Sequence, residues 1–204
     1  LLLMGIASIT VAILAGGHAR RLGGIDKGLH RLRGAPLIAH VVTAIDEIPA
    51  PDHVRNGRDV LILANRNVDM YSRYSTALPD AVDSGEGPLA GIVTAFLETT
   101  TPWILTLPVN RSNPPSDLWQ RLHWAIGDAV CAVAYDGAHR QPLFALYRFD
   151  LEASALKAAK AGLGPQAWQD QIHTLEVDFD DRRESFANLN NEAEFSAYAG
   201  AANE

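Results

Sequence analysis

The chain has 204 residues, 48% of them hydrophobic and 20% charged, and a formal net charge of −7. That size suits one domain with a substantial core, and the acidic balance argues against general nucleic-acid binding, which favours a broad basic face. Cys131 is the single cysteine, so no internal disulfide can form and a reducing cytoplasm is the natural compartment.

Leu1-Leu2-Leu3-Met4-Gly5 lacks the charged flank of a signal peptide, and residues 1–8 are expected outside the ordered part of a single domain covering 1–204. No run is long enough to span a membrane. The β-branched run Ile9–Leu14 reads as a buried strand, followed by a glycine-rich loop up to Lys27. Pro36 to Glu47 reads as a helix with Leu37, Ile38, Val41, Val42 and Ile45 on one face. Val60–Ala64 is a second strand with Asn65-Arg66-Asn67 as its polar end. A proline-opened helix is expected over Pro88–Glu98. Trp103–Leu107 is a third strand stopped by Pro108, Pro115–Ile126 a helix, and Ala129–Ala134 a fourth strand. Leu143–Tyr147 reads as a further strand, Leu151–Ala161 as a helix, Leu175–Phe179 as an edge strand and Glu192–Tyr198 as a closing helix.

Strands separated by helical stretches predict a three-layer α/β domain, with a mostly parallel, twisted sheet and helices on both faces. Ligands of such sheets sit beyond the carboxyl ends of the strands. Residues 15–27, 65–67, 80–87 and 108–113 fall there.

The loop Leu14-Ala15-Gly16-Gly17-His18-Ala19-Arg20-Arg21-Leu22-Gly23-Gly24-Ile25-Asp26-Lys27 carries the strongest chemical signal. Its glycines let backbone N–H groups approach phosphate oxygens, and Arg20, Arg21 and Lys27 add cationic donors. It is neither a Gly-x-x-x-x-Gly-Lys-Ser/Thr loop nor a Gly-x-Gly-x-x-Gly fingerprint. A nucleoside triphosphate is the ligand it suits. Lys27 ends the loop and is expected to point back over the phosphates. Asp80, in a second glycine-bearing loop, can accept the N1–H and the 2-amino group of guanine; Asp83 reads as a cap or a solvated residue. Cys131 sits in an apolar run and reads as core. The seven histidines, His18 and His139 among them, show no metal-ligand spacing. Trp103, Trp119, Trp124 and Trp168 read as packing residues.

These segments together resemble a family. Leu14-Ala15-Gly16-Gly17, Arg21, Gly23-Gly24 and Asp26-Lys27 are followed by Gly87-Pro88-Leu89-Ala90-Gly91 and by Pro108 after a strand. Asp136-Gly137, Gln141–Leu146 and Phe186-Ala187-Asn188-Leu189-Asn190 come later. In this order they resemble the molybdenum cofactor guanylyltransferases over about residues 8–200. The resemblance implies a nucleotide-diphospho-sugar-transferase-like fold and transfer of GMP from GTP to the terminal phosphate of molybdopterin, with Mg²⁺ and with release of pyrophosphate. Lys27 and Arg21 are the catalytic candidates that follow from it. Leu14, Ala15, Gly16, Gly17, Lys27, Asn65, Asp80, Gly91 and Asn110 are the nucleotide-binding candidates. Asn188, Asn190 and Arg140 would face the molybdopterin, with His139 beside Arg140. The expected partners are GTP and the molybdenum cofactor, with neither nucleic acid nor membrane, in a monomer or weak oligomer.

Two positions depart from the family. Its Pro-Cys-Asp-x-Pro is Pro108-Val109-Asn110-Arg111-Ser112 here, so the metal-binding carboxylate becomes a neutral amide beside an added cation. Asn110 is the only metal candidate at that place, with Asp83 and Glu86 as conceivable substitutes. Leu63 stands where the family commonly has Asn, while Asn65 keeps the same strand parity. Two alternatives therefore stay open: a non-catalytic or weakened homologue that binds nucleotide or cofactor, and a cytidylyl or sugar-phosphate nucleotidyltransferase.

Overall fold

The computed structural model describes residues 8–16, 26–47, 58–82, 87–111 and 113–187. The strand β1 (Ile9–Leu14) is buried at every position and lies inside the sheet. It pairs in parallel with β4 (Arg58–Leu63) on one side and with β6 (Trp103–Pro108) on the other, so all three end together. Between β1 and β4 come the short hairpin β2 (Arg31–Leu32) and β3 (Ala35–Pro36), and the helix α1 (Leu37–Glu47). Arg33 and Gly34 both have positive φ, which gives the hairpin the two-residue turn that suits twisted antiparallel strands.

After β4 the chain forms a single turn, α2 (Val68–Tyr71), then β5 (Thr76–Leu78) and α3 (Pro88–Glu98). Beyond β6 come α4 (Leu118–Ala125), β7 (Cys131–Tyr135), β8 (Arg140–Arg148), α5 (Glu152–Lys160), α6 (Pro165–Gln169) and β9 (Thr174–Asp178). Among the described residues the main sheet has seven strands in the order β5-β4-β1-β6-β8-β7-β9.

The sheet is parallel except for β8, which runs against both β6 and β7. This reversal matters for the site. The register pairs Thr106 with Ala145, so the residues of β8 before Ala145 lie toward the carboxyl end of β6. Two apolar layers cover the sheet. One holds Ile38, Val41, Ile45, Leu118 and Leu122 with the outer faces of β1 and β4. The other holds Leu89, Ile92, Val93, Phe96, Ala155 and Trp168. Burying each of these Ile or Leu side chains contributes roughly 1.5–3 kcal/mol.

The expected strands and the helix Pro88–Glu98 are present, each within a few residues of its expected ends. The helix from Pro115 starts three residues later, at Leu118, with Asp117 at its cap position. The turn α2, the strand β5 and the helix α6 are additions: each is too short to carry a period. Of the four tryptophans, Trp168 and Trp119 are buried, and Trp103 packs against the core, but Trp124 is 80% exposed. The expectation that Trp124 packs is therefore corrected: it sits on the outward side of α4, where the apolar stripe has already been filled by Leu118 and Leu122. Cys131 is fully buried, and burial pushes its thiol up to about 12, so it stays a protonated core residue. The expected helix over 192–198 and residues 1–7 lie outside the described residues.

Candidate functional site

A cavity of about 390 Å³ opens at the carboxyl ends of β1, β4 and β6. Its walls include Leu14, Ala15, Gly16, Lys27, Asp80 and Asn110, with Gly87, Pro88 and Gly91 from the start of α3. Parallel strands generate this place: their last residues diverge into loops at one sheet edge, where side chains from separate segments meet. Leu14, Ala15, Gly16, Lys27, Asp80, Gly91 and Asn110 were all expected from sequence and are brought together here. Arg21, Gly17, Asn188 and Asn190 lie outside the described residues.

The β1 end is held by the ladder continuing past the strand. Ala15 N–H donates to Leu63 O (2.8 Å), and Val109 N–H donates to Leu14 O (3.1 Å). Gly16 then passes close to Asn65, whose Nδ2 would stand 3.4 Å from a Cβ at that position. Gly91 is tighter still: a Cβ there would meet Leu14 Cδ2 at 3.1 Å and Asp80 Oδ1 at 3.5 Å. Gly91 lets α3 close on the end of β1 without filling the cavity.

Asn65 and Asp80 hold each other. Asn65 Nδ2 donates to Asp80 Oδ2 (2.7 Å), and the Asp80 N–H donates to Asn65 Oδ1 (2.8 Å). Burial lifts the Asp80 carboxyl above the usual carboxylate range, against the Asn65 hydrogen bond, which lowers it. A carboxylate fixed by a neighbour in this way is oriented but still has acceptor capacity on both oxygens. Leu63, by contrast, is in the apolar layer and contributes only a hydrophobic wall.

Lys27 is positioned by a clamp that sequence reading missed. Asp26 precedes a 3-10 turn at Lys27–Leu29 and accepts three hydrogen bonds: Gly28 N–H (3.2 Å), Asn67 Nδ2 (3.0 Å) and the Tyr71 hydroxyl. Tyr71 is fully buried, and burial together with the Asp26 bond and charge raises its phenol far above the ordinary range. Gly28 has no room for a side chain, since a Cβ would lie 2.9 Å from both Tyr71 Cε1 and Val109 Cγ2. The only advance signal was the pair Asp26-Lys27 itself and the polar run Asn65–Asn67; nothing marked Tyr71.

On the other side of β6 the chemistry differs. Asp136, at the end of β7, accepts from the Ala138 and His139 amides (2.9 and 2.7 Å) and from Gln141 Nε2 (2.6 Å). Burial acts to raise its carboxyl, but these donors outweigh it and hold it below the usual range. Arg140 is paired with Asp170 (2.5 Å) and Glu176 (2.7 Å) and does not line the cavity. The side chain of His139 is exposed.

The donor set near Asn110 was expected to face a metal. Asn110 supplies one neutral carbonyl oxygen, and the Arg111 cation follows it in the chain. The Asp26 carboxylate is taken by its three donors, and Asp80 is tied to Asn65. No group of three His, Cys, Asp or Glu side chains gathers among the described residues. Among the described residues this set does not fit a hard cation held by the protein, which calls for charged oxygen ligands; Asp83 and Glu86 lie outside the described residues.

A cavity at the ends of parallel strands, with Gly16, Lys27 and Asp80 in its walls, stands where α/β domains of this layout take their ligands. Residues 11–175 match the MobA-like NTP transferase domain, and the chain belongs to that family. It is 39% identical to the molybdenum cofactor guanylyltransferase of Shewanella loihica, over 89% of this chain and 91% of that protein. Its fold is similar to that of molybdopterin-guanine dinucleotide biosynthesis protein A from Archaeoglobus fulgidus (TM-score 0.76, 17% identity, 95% and 98% of the two chains). It is also similar in fold to 2-C-methyl-D-erythritol 4-phosphate cytidylyltransferase from Thermus thermophilus (TM-score 0.67, 14% identity, 97% and 100%). No helix among the described residues is long and apolar enough to cross a membrane.

Proposed function

We propose that this protein transfers GMP from GTP to the terminal phosphate of molybdopterin, forming the guanine dinucleotide form of the molybdenum cofactor and releasing pyrophosphate. The observation that carries this reading is the convergence of the Leu14–Gly16 strand end, Lys27 and Asp80 on one cavity. The name carried by the Shewanella loihica relative favours it over the cytidylyl alternative, to which the chain is similar in fold alone.

In this reading the amides of the β1 loop and the Lys27 ammonium bind the triphosphate tail, and the Asn65-oriented Asp80 carboxylate reads the guanine edge. An oxygen of the acceptor phosphate attacks the α-phosphorus. The bond between the α-phosphorus and its bridging oxygen to the β-phosphate breaks, and pyrophosphate leaves with the electron pair. The attacking group is already an anion, so no protein nucleophile is required. The work of the protein is positioning and charge neutralisation. Lys27 is suited to the second task because Asp26, Asn67 and Tyr71 fix its turn before substrate arrives. Mg²⁺ enters this reading as the companion of GTP, held by phosphate oxygens and water. The compartment this reading implies is the cytoplasm, where a free thiol such as that of the buried Cys131 stays reduced.

The test is pyrophosphate release from GTP in the presence of molybdopterin, run with and without Mg²⁺ and with CTP in place of GTP. Release that requires GTP and the acceptor together is the expected result. Release with CTP but not GTP would reassign the base pocket, and release with neither would leave only the binding alternative.

A further inference from the structure

Arg111 follows the cavity-lining Asn110 in a tight turn, its N–H donating to Pro108 O (3.3 Å). Its Nε and Nη1 are buried and have no hydrogen-bond partner. The charge that acts on it is Asp136, but that carboxylate takes its hydrogen bonds from Ala138, His139 and Gln141 instead. Desolvation by burial pulls the guanidinium down to about 10, with Asp136 working the other way. A buried cation whose N–H groups meet no acceptor is costly, and proteins keep one where a ligand supplies the acceptor.

Its place in the sheet says which ligand. Gly16, Lys27 and Asp80 line the cavity at the ends of β1 and β4, whereas Arg111, just past β6, feels the charge of Asp136 at the end of β7. A planar guanidinium with two unsatisfied N–H groups matches the paired oxygens of a phosphate. We propose that Arg111 is a phosphate-binding residue beside the cavity, next to its lining residue Asn110, its guanidinium taking the terminal phosphate monoester of the acceptor. This rests on the transferase reading for the identity of the acceptor, but the phosphate chemistry stands on the unpaired guanidinium alone. The same charge would hold the attacking phosphate beside the α-phosphorus and offset repulsion between two anions, at a place where Asn110 brings no negative charge.

The test compares the native chain with R111Q and R111K. Calorimetric titrations with inorganic phosphate, pyrophosphate and GTP are run beside steady-state KM and kcat for molybdopterin. R111Q is expected to weaken phosphate binding by about ten- to hundredfold, with R111K recovering part of it, since one charge-assisted pair is lost. A rise confined to the acceptor KM assigns the site to the acceptor phosphate. A loss confined to GTP and pyrophosphate overturns that assignment in favour of the nucleotide tail. Unaltered affinities and KM in R111Q overturn the site altogether. Should R111Q fail to fold, R111K decides: its single-point ammonium cannot reproduce a two-donor fork, so unchanged binding there is equally fatal. Should the native chain show no transfer, the functional reading falls while the inorganic phosphate titrations still decide Arg111.

Discussion

The two sides of β6 are built on opposite plans. On the β1–β4 side the polar groups that position the site are matched within the protein: Asp26 with Gly28, Asn67 and Tyr71, and Asn65 with Asp80. On the β8–β7 side the Asp136 carboxylate is satisfied, but the guanidinium facing it is not. The named polar groups of the first half are held by one another before any ligand arrives; the second leaves a charge to be completed by one. Pre-organisation lowers the cost of binding, whereas an unpaired group makes the protein's own stability depend on its ligand. A transferase that binds a nucleotide and then a phosphate acceptor can use both.

The largest effect is expected from Lys27→Ala. It removes the cation of the pre-organised half, and loss of one such electrostatic donor costs about a hundred- to thousandfold in kcat. GTP affinity should fall as well. Single-turnover rates and GTP titration check both; unaltered values would remove Lys27 from the mechanism.

Asp26→Ala comes next, because it attacks the clamp rather than the charge. The buried Tyr71 hydroxyl loses its acceptor, which costs about 1–3 kcal/mol, and each kcal/mol lowers Tm by roughly 2–4 °C in a domain of this size. The freed turn should raise the KM for GTP by about tenfold while leaving Lys27 intact. Tyr71→Phe separates the contributions: it keeps the ring that packs over Gly28 and deletes only the hydroxyl, so a smaller change in KM is expected. Thermal melts and GTP kinetics on the two variants measure the clamp directly.

How much of this contrast could be read beforehand follows from where each signal lives. The strands β1, β4 and β6 are short runs of β-branched and apolar residues, so their presence was legible; the helical stretches between them implied a common direction, and with it the cavity. Gly16, Lys27, Asp80 and Gly91 were legible too as cavity residues, because the proposed phosphate loop and base reader would impose residue types in chain order. The clamp was not: Asp26 and Tyr71 are 45 residues apart in the chain, and only the packing of α2 beside the loop unites them. The reversal of β8 was also hidden, since an apolar run carries no sign of its direction. Arg111 was visible only as an oddity next to Asn110. Its meaning depends on which of its nitrogens find partners, and that is a property of the folded chain.

A moderate effect is expected from Asp80→Asn, with pH as the informative axis. Binding of guanine through N1–H and the 2-amino group needs the ionised carboxylate. Because the Asp80 carboxyl is raised by burial, it takes up a proton at a higher pH than an exposed aspartate does. GTP affinity of the native chain should therefore decline on acidification before ordinary surface carboxylates titrate, and stay level above that limb. Asp80→Asn should abolish this acid limb and lower affinity by about tenfold, the effect of one charged hydrogen bond. GTP titrations across an acidic pH series in both proteins check the sign. An acid limb that survives in the variant belongs to another group.

The smallest change, and the one that bears on both halves, is Asn110→Asp. A carboxylate here has two competing partners. It can offer Mg²⁺ a charged oxygen, or it can pair with the guanidinium of the next residue, whose Nε and Nη1 stand open. Metal capture should raise the Mg²⁺-dependent transfer rate by roughly tenfold or less, since the ion keeps most of its phosphate and water ligands. Capture by Arg111 should do the reverse: the acceptor KM rises and the Mg²⁺ dependence stays as in the native chain. Mg²⁺ titrations of transfer by N110D, and by N110D combined with R111Q, separate the two. If the added carboxylate quenches Arg111, deleting the guanidinium restores metal dependence without restoring the acceptor KM. The native pairing of a neutral Asn110 with a charged Arg111 then reads as one device, in which removal of the carboxylate is what keeps the cation available for phosphate.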